Sequence, residues 1–458
     1  MSGQTTTEIQ VQHPAVAPIL ESCVRYGFCT NTCPTYVLTR DENESPRGRI
    51  ALIGDMLASG APPSQNTVAH IDSCLGCLSC MTTCAAKVDY HHLIDYARDH
   101  VERTYRRPLR DRLVRRMLAF LMPNPSRFRA ALRLAPLGWT VRWTDRRLAA
   151  MLDLRPAAPP VKADLGRRRR VHPAEGERRG RVVLLTGCVQ RVIAAHVNDA
   201  AIRLLCRHGI EVVVLPQVEC CGALTLHMGF AREARQSAST LAAAIAAEHA
   251  REPIDAVIIT ASGCGTTIKD YARLLSGVAS HAEDGALTAM LARDVTEYLS
   301  GHELRAPVDA VRGIRVAYHD ACSLQHGQKV TRQPRDLLAE AGFLPVNAPE
   351  GHICCGSAGT YNLLQPETAR VLGQRKAEAL QSTGATVIAA GNLGCITQIG
   401  HHADLPIVHT VELLDWATGG PVPNALEGRD LPRETPRPPP PEHPAPSEAK
   451  PTSDESFW

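Results

Sequence analysis

The cysteines limit how this chain folds more than any other feature, because 15 of the 16 lie in closely spaced sets. The most complete set, SCLGCLSCMTTC, has the spacing C-x₂-C-x₂-C-x₃-C, with which thiolates surround an iron–sulfur cube. Its members are Cys74, Cys77, Cys80 and Cys84. The start of the 458-residue chain, MSGQTTTEIQVQHP, has neither a basic nor an apolar export region. We therefore expect a cytoplasmic protein whose thiols serve metals or redox chemistry rather than disulfides.

The loop SCVRYGFCTNTCP has the same spacing except at one position. Cys23, Cys29 and Cys33 are in place, but Tyr26 stands where the second cysteine belongs. Paired loops of this kind exchange their last ligands, so that the fourth cysteine of each reaches the cluster held by the other. The expected [4Fe-4S] ligands are Cys33, Cys74, Cys77 and Cys80.

The exchange leaves Cys23, Cys29 and Cys84 for a second cluster. Three thiolates suit a [3Fe-4S] cluster, and also a [4Fe-4S] cluster whose fourth iron binds water. A Tyr26 phenolate is a third alternative. It is disfavoured because a phenol keeps its proton up to a pKa of about 10. Zinc is less suited to this domain, because its tetrahedral sites use well-separated cysteine pairs. Nearby, Arg47 and Arg49 either place positive charge beside a cluster or lie in solvent at a helix N-terminus.

The second half of the chain contains an internal repeat. RVVLLTGCVQ corresponds to RVAYHDACSLQ, VECCGAL to HICCGSAG, and TASGCGTTI to AGNLGCITQI. In both copies, 31 residues separate the first cysteine from the CC pair. The candidate cofactor-binding residues are Cys188, Cys220, Cys221 and Cys264 in the first copy and Cys322, Cys354, Cys355 and Cys395 in the second. Such matched spacing favours a metal or redox cofactor over buried free thiols.

Apolar strand patterns such as RVVLLT, EVVVLP and DAVIIT alternate with amphipathic helices in each copy. This alternation predicts parallel α/β sheets, with the cysteines in loops beyond the carboxyl ends of the strands, where such folds bind ligands. Glycines in CCG and SGCG fit a backbone that lies close to a cofactor. His319 and Asp320 add a ligand or a proton relay, or serve the core. Cys206, on an apolar helical face, is expected to be a buried thiol.

These motifs together resemble a known family. SPRGRI, CLGCLSCMTTC, HHLIDYARDHVE, TASGCG, SLQH, CCGSAGTY and NLGC read like the iron–sulfur subunits of flavin-dependent 2-hydroxy acid dehydrogenases, the glycolate group above all, from Cys23 to Trp416. The implied fold is mixed: an N-terminal α-helical two-cluster ferredoxin domain, then two pseudo-repeated α/β CCG domains with parallel sheets. Tyr26 departs from the family, which has cysteine there.

The resemblance implies an electron-transfer subunit. A separate FAD-containing glycolate dehydrogenase subunit would oxidise glycolate to glyoxylate, and this chain would pass the electrons towards quinone or another membrane acceptor. The four cysteines of each CCG repeat are compatible with further iron–sulfur clusters, either non-cubane or an ordinary cube, and with a disulfide-cycling dithiol. We find no nucleotide-binding GxGxxG or GxxxxGK[ST], so the flavin belongs to the partner. Alternatives are a thiol/disulfide reductase, a subunit for D-lactate or glycerol-3-phosphate oxidation, and a redox-silent metal scaffold.

Composition and charge complete the expected organisation. We expect the ferredoxin domain at residues 15–110, an Arg-rich helical connector and linker at 111–180, the repeats at 181–305 and 312–416, and a Pro-rich disordered tail at 417–458. A net charge of +3 is too small to indicate nucleic-acid binding. The arginines of residues 103–180 suit either an anionic membrane surface, at the inner face of the cytoplasmic membrane, or an acidic partner.

Overall fold

The computed structural model describes residues 13–136, 145–154, 168–216 and 220–434. The mixed fold expected from the sequence is confirmed, since an N-terminal helical region precedes two parallel sheets. Across the described ranges, no helix combines the length and apolar content that crossing a membrane requires.

The N-terminal domain consists of short helices joined by the cysteine loops. Its α-helices are Ala17–Glu21, Pro34–Thr39, Pro46–Ser59, Gln65–Asp72, Ser79–Thr82 and Tyr90–Thr104, with a 3₁₀ turn at Glu42–Glu44. The helix Pro46–Ser59 begins at a favourable cap, since the Ser45 hydroxyl accepts a hydrogen bond from the Gly48 amide. Pro46, at the first helical position, has no backbone N–H that would need a partner. Ile53, Leu57, Leu93 and Ile94 form a dry core beneath the loops.

The connector contains the helices Leu109–Leu121, Pro125–Leu134 and Arg146–Asp153. Two of its arginines are buried in an ion network rather than exposed. Arg107 and Arg115 each donate to the Asp72 carboxylate, at 2.6 and 2.7 Å, and Asp111 lies between them at 3.3 Å from both. These two arginines are neutralised by carboxylates of the same chain, so they do not contribute to a basic surface.

The first repeat forms a five-stranded sheet in the order β1-β3-β2-β4-β5. Its strands are β1 Arg170–His172, β2 Gly180–Leu185, β3 Ile210–Val214, β4 Ala256–Ile259 and β5 Ala292–Asp294. Its α-helices are Gln190–Ile193, Ala195–Arg207, Ala223–His227, Ala231–Arg251, Ser262–Lys269, Tyr271–Leu274, Ala282–Leu291 and Val295–Leu299. All pairings are parallel except β1 with β3. The apolar runs are buried because helices cover the sheet.

The second repeat is a four-stranded parallel sheet in the order β7-β6-β8-β9. Its strands are β6 Arg315–His319, β7 Leu344–Asn347, β8 Val387–Ala390 and β9 Ile407–His409. Its helices are Gln333–Glu340, Tyr361–Leu364, Pro366–Gln381, Leu393–Gly400 and Thr410–Ala417, with a π-helix at Ser323–Gln328 and 3₁₀ turns at Asp309–Val311 and Asn424–Leu426. One apolar core joins both repeats, since β2, β4, β6 and β8 contribute to the same buried cluster.

Two expected boundaries differ from the structure. The proposed linker before residue 181 includes β1, because the edge of β3 offers free backbone groups with which Arg170–His172 pairs. The proposed disordered tail begins too early, since Leu426 is buried in the shared core and Ile314 bridges to Arg433. The remainder of that tail, residues 435–458, lies outside the described residues.

The helical domain docks on both repeats. The Tyr361 hydroxyl of the second repeat donates to the Ser73 carbonyl at 3.0 Å. His92 lies 3.0 Å from the Asp270 carboxylate of the first repeat. Burial opposes the charge on this histidine, but the hydrogen bonds with Asp270 and Asp89 raise its pKa to about 9. These contacts hold the cysteine loops against the sheets.

The glycine of each CCG turn is dictated by backbone geometry. Gly222 has φ +86° and Gly356 has φ +88°, in the left-handed region. A Cβ atom on either would lie 2.7 Å from a backbone carbonyl oxygen, that of Ala234 or of Ala369. The two turns are therefore fixed in the same way against the helix that follows.

Gly356→Ala is expected to destabilise the protein by more than about 1–2 kcal/mol, since the left-handed backbone costs that much before the carbonyl clash is added. The measurement is the midpoint of thermal unfolding, read together with iron content. The control is Gly54→Ala, in the middle of a helix with open space around its Cβ, which should stabilise by up to about 1 kcal/mol. Equal midpoints for the two variants would contradict this account of the turn.

Candidate metal centres

The first candidate centre lies inside the helical domain. Four buried cysteines, Cys33, Cys74, Cys77 and Cys80, line one cavity. Cys33 comes from the incomplete loop and the others from the complete one, so the structure brings together the four residues that ligand exchange predicts. Four thiols around one cavity are a donor set suited to an iron–sulfur cube.

The second candidate centre lies nearer the surface. Cys23, Cys29 and Cys84 are each half-buried. Burial raises the pKa of the Cys29 thiol, and the charges of Cys23 and Cys84 raise it further, which reflects their proximity. The Tyr26 side chain is 69% exposed, and its ring lies 6.3 Å from that of Phe28. Its exposure to solvent does not favour the phenolate alternative.

Arg47 and Arg49, which the sequence left undecided, have different roles. Arg49 is buried, and its guanidinium lies 3.8 Å from Cys33 Sγ while donating to the Glu44 carboxylate and the Ser73 hydroxyl. Arg47 is bound at the surface by Glu42. Of these two arginines, Arg49 therefore supplies positive charge beside the thiols of the first centre, where the buried Arg98 also donates to the Cys74 carbonyl.

The cysteines of the first repeat form a third group. Cys188, Cys220 and Cys221 are buried and Cys264 is half-buried. Hydrogen bonds to Cys220, together with burial, raise the pKa of both Cys188 and Cys221. These thiols keep their protons until a metal displaces them. Cys206 is not among them, since it lies in the apolar core, where burial raises its pKa to about 11.

The cysteines of the second repeat form a fourth group, at the carboxyl end of β6. The Sγ atoms of Cys322 and Cys354 are 3.7 Å apart. Cys355, Cys395 and His319 place one ligand atom each within 4.8 Å of the other two. Asp320, in contrast, is paired with Arg335 at 2.5 Å, so it orients an arginine and is not part of this group.

A buried lysine distinguishes the two repeats, and the sequence analysis missed it. Lys376 is buried and donates to the Glu350 carbonyl at 2.7 Å. Burial lowers the pKa of its ammonium group, whereas the nearby charges of Cys355 and Cys354 raise it. It lies seven positions after Ala369, which contacts the CCG glycine. In the first repeat, the residue seven positions after the equivalent Ala234 is Leu241, a core residue. A break in helical periodicity, a lysine on an apolar face, was the available signal.

The first and fourth groups adjoin. Cys77 packs in one buried cluster with Cys354 and Cys322. No intervening layer of structure separates the helical domain's thiols from those of the second repeat.

The two repeats also meet beside their cysteines. The hydroxyls of Ser262 and Ser323 are 2.7 Å apart, and Gln328 donates to the Ser262 carbonyl at 2.9 Å. A Cβ atom on Gly265 would lie 2.6 Å from the Gln328 side chain. Gly265, one of the two SGCG glycines that we expected to lie close to a cofactor, therefore makes room for the other repeat.

Comparison with known proteins agrees with these groups. Residues 19–88 match the family described as 4Fe-4S dicluster domain, and residues 182–269 and 316–400 match the family described as Cysteine-rich domain. These matches support iron–sulfur clusters as the groups that the cysteines hold.

Curated relatives match nearly the whole chain. The glycolate oxidase iron-sulfur subunit of Escherichia coli K12 is 37% identical over 91% of this chain and 99% of its own length. The probable glycolate oxidase iron-sulfur subunit of Bacillus subtilis 168 is 30% identical over 87% and 94%. Lactate utilization protein A of the same Bacillus strain is 22% identical over 51% of this chain and 99% of its own length.

A solved structure supports the fold alone. The hypothetical protein from Helicobacter pylori has a TM-score of 0.52 at 9% identity and covers 91% of this chain and 77% of that one. Together with the identity to the Escherichia coli subunit over almost its full length, the shared cysteine domains show that this chain belongs to the family of glycolate oxidase iron-sulfur subunits, electron-transfer components of an oxidoreductase.

Proposed function

We propose that this chain is the electron-transfer subunit of a membrane-associated glycolate dehydrogenase. A partner subunit that holds FAD oxidises glycolate to glyoxylate, and this chain passes the electrons towards quinone. The names of the relatives support the substrate. The observation that carries the electron-transfer role is the contact between Cys77 and the cysteines of the second repeat, which makes successive thiol groups neighbours.

The proposed ligands are the fifteen cysteines named above. Cys33, Cys74, Cys77 and Cys80 hold a [4Fe-4S] cluster. Cys23, Cys29 and Cys84 hold the second cluster of the helical domain, and the CCG cysteines hold those of the repeats. Iron–sulfur clusters bound there supply one-electron carriers. The chain's own contribution is to exclude water around the thiols and to place Arg49 and Lys376 beside them, where positive charge favours reduction.

The exchange of electrons with a partner fits the cluster held by Cys23, Cys29 and Cys84. Its three cysteines are half-buried, and next to them the side chains of Tyr26 and Phe28 are exposed. Exposed aromatic side chains are typical of contact surfaces between proteins. We assign the docking of the partner to this edge of the helical domain.

Membrane association fits the helix Leu109–Leu121. Leu109, Leu113 and Phe120 are 73, 72 and 56% exposed, and Arg112 and Arg116 are exposed beside them. A basic helix with an exposed apolar face binds in the interfacial region of an anionic bilayer. The burial of Arg107 and Arg115 reduces the number of arginines available to lipid.

A thiol/disulfide reductase is the second candidate function, and the 3.7 Å between the Sγ atoms of Cys322 and Cys354 favours it. A pair at this distance closes to a disulfide with little movement. Such an enzyme would reduce a disulfide substrate without a glycolate-oxidising partner.

Glycolate is expected to reduce the iron–sulfur clusters of this chain through its partner. The measurement is anaerobic EPR of the co-purified complex before and after glycolate in the absence of quinone, with D-lactate as the comparison. If dithionite changes the EPR signals and neither acid does, the dehydrogenase assignment fails. A response to D-lactate alone would replace the substrate but keep the electron-transfer role.

We propose that the second cluster holds three irons, so Tyr26→Cys is expected to convert it from three irons to four, because it supplies the missing thiolate. The as-isolated three-iron EPR signal should disappear, and the iron content should rise. Tyr26→Phe is the matched control and should leave both unchanged, since the exposed phenol is not a ligand. A three-iron signal that is absent from the wild-type protein and appears in Tyr26→Phe would assign the phenolate as the fourth ligand instead.

Replacing Leu109 and Leu113 together by glutamate is expected to weaken binding to vesicles that contain phosphatidylglycerol. Partial burial of two leucines is worth about 3 kcal/mol, roughly a hundredfold in affinity. The measurement is co-sedimentation with these vesicles at low and high salt. Met290→Glu, at a 63% exposed position on the first repeat, is the control. Equal loss of binding in both proteins would exclude this helix as the membrane-binding element.

A further inference from the structure

His319 is buried next to cysteines of the second repeat. It ends β6, three residues before Cys322, and its side chain is 2% exposed. The described part of the chain has three other buried histidines, His208, His326 and His409, and each has hydrogen-bond partners at both ring nitrogens. Nε2 of His319 has none. A buried ring nitrogen without a partner is costly, so a bound group is expected there.

The surroundings of this ring are those of a metal site. One ring nitrogen of His319 and the Sγ atoms of Cys355 and Cys395 lie within 4.8 Å of one another. Imidazole nitrogens and thiolates bind metals at about 2.0–2.3 Å, so two ligands of one ion lie up to about 4.6 Å apart. The measured spacing therefore accommodates a shared ion with little adjustment.

We propose that His319 is a ligand, through Nε2, of the cluster held by the cysteines of the second repeat. The inference rests on the proposed function only in taking that cluster to be iron–sulfur. Its ligands would be one imidazole and the thiolates of Cys322, Cys354, Cys355 and Cys395. The first repeat has Thr186 in place of His319, so its site offers the four corresponding thiolates without an imidazole.

The proposed ligand would separate the reduction potentials of the two repeats. The neutral imidazole adds a ligand to the four thiolates without adding the negative charge that a fifth thiolate would add. The ammonium group of Lys376 lies beside this site and favours its reduction, whereas the first repeat has Leu241 at that position. The cluster of the second repeat, which adjoins Cys77, is then the more easily reduced of the two.

The test is pulsed EPR on the dithionite-reduced complex that has been labelled with ¹⁵N-histidine. The wild-type protein should show a ¹⁵N coupling of the strength of a directly bound imidazole. His319→Cys should keep the iron content, lose this coupling and lower the midpoint potential of one cluster. His326→Gln, at a buried histidine of the same repeat with both nitrogens satisfied, should retain the coupling.

Two results would overturn the proposal. One is a wild-type complex with full iron content and no strong ¹⁵N coupling. The other is a coupling that persists in His319→Cys. His319→Gln serves as a second variant if the cysteine variant does not fold, with loss of the coupling as the same criterion. Because dithionite replaces glycolate as the reductant, a failure of the glycolate assignment would leave these measurements unaffected.

Discussion

The burial of thiols that must ionise is the constraint on which this structure depends. Water is excluded from most of the cysteine side chains, and burial raises the pKa of Cys77 and Cys80 well above that of a free thiol. Packed thiolates would repel one another, so the apoprotein favours the protonated form. Metals bound there would stabilise a core of thiolates, with the buried cations Arg49, Arg98 and Lys376 beside them.

Duplication of one α/β unit explains how the repeats place their cysteines, and divergence explains how they differ. The CCG glycines have nearly the same φ and make the same contact with the next helix. Around that common frame, one copy has Leu241 and Thr186 and the other has Lys376 and a histidine. The frame sets where ligands lie, while the exchanged residues set the charge around them. Two sites from one ancestor can thus differ in redox behaviour without any change of fold.

Much of this organisation could be predicted because spacing and periodicity are local properties. The complete cysteine motif, the repeat and the alternation of strands with helices were all visible in the sequence, and the fold agrees with them. What could not be predicted depends on partners distant in sequence. Arg49 and Arg47 differ by two positions, yet only Arg49 reaches Ser73, and nothing local distinguishes them. Likewise, β1 forms only because β3 leaves its edge free.

The packing of Cys77 against the second repeat has a consequence for biogenesis. Leu75 and Cys77 are covered by Ile353, Cys354 and Tyr361, so the finished fold closes one wall of the cavity in the helical domain. We therefore expect iron and sulfide to enter the helical domain before it docks on the second repeat.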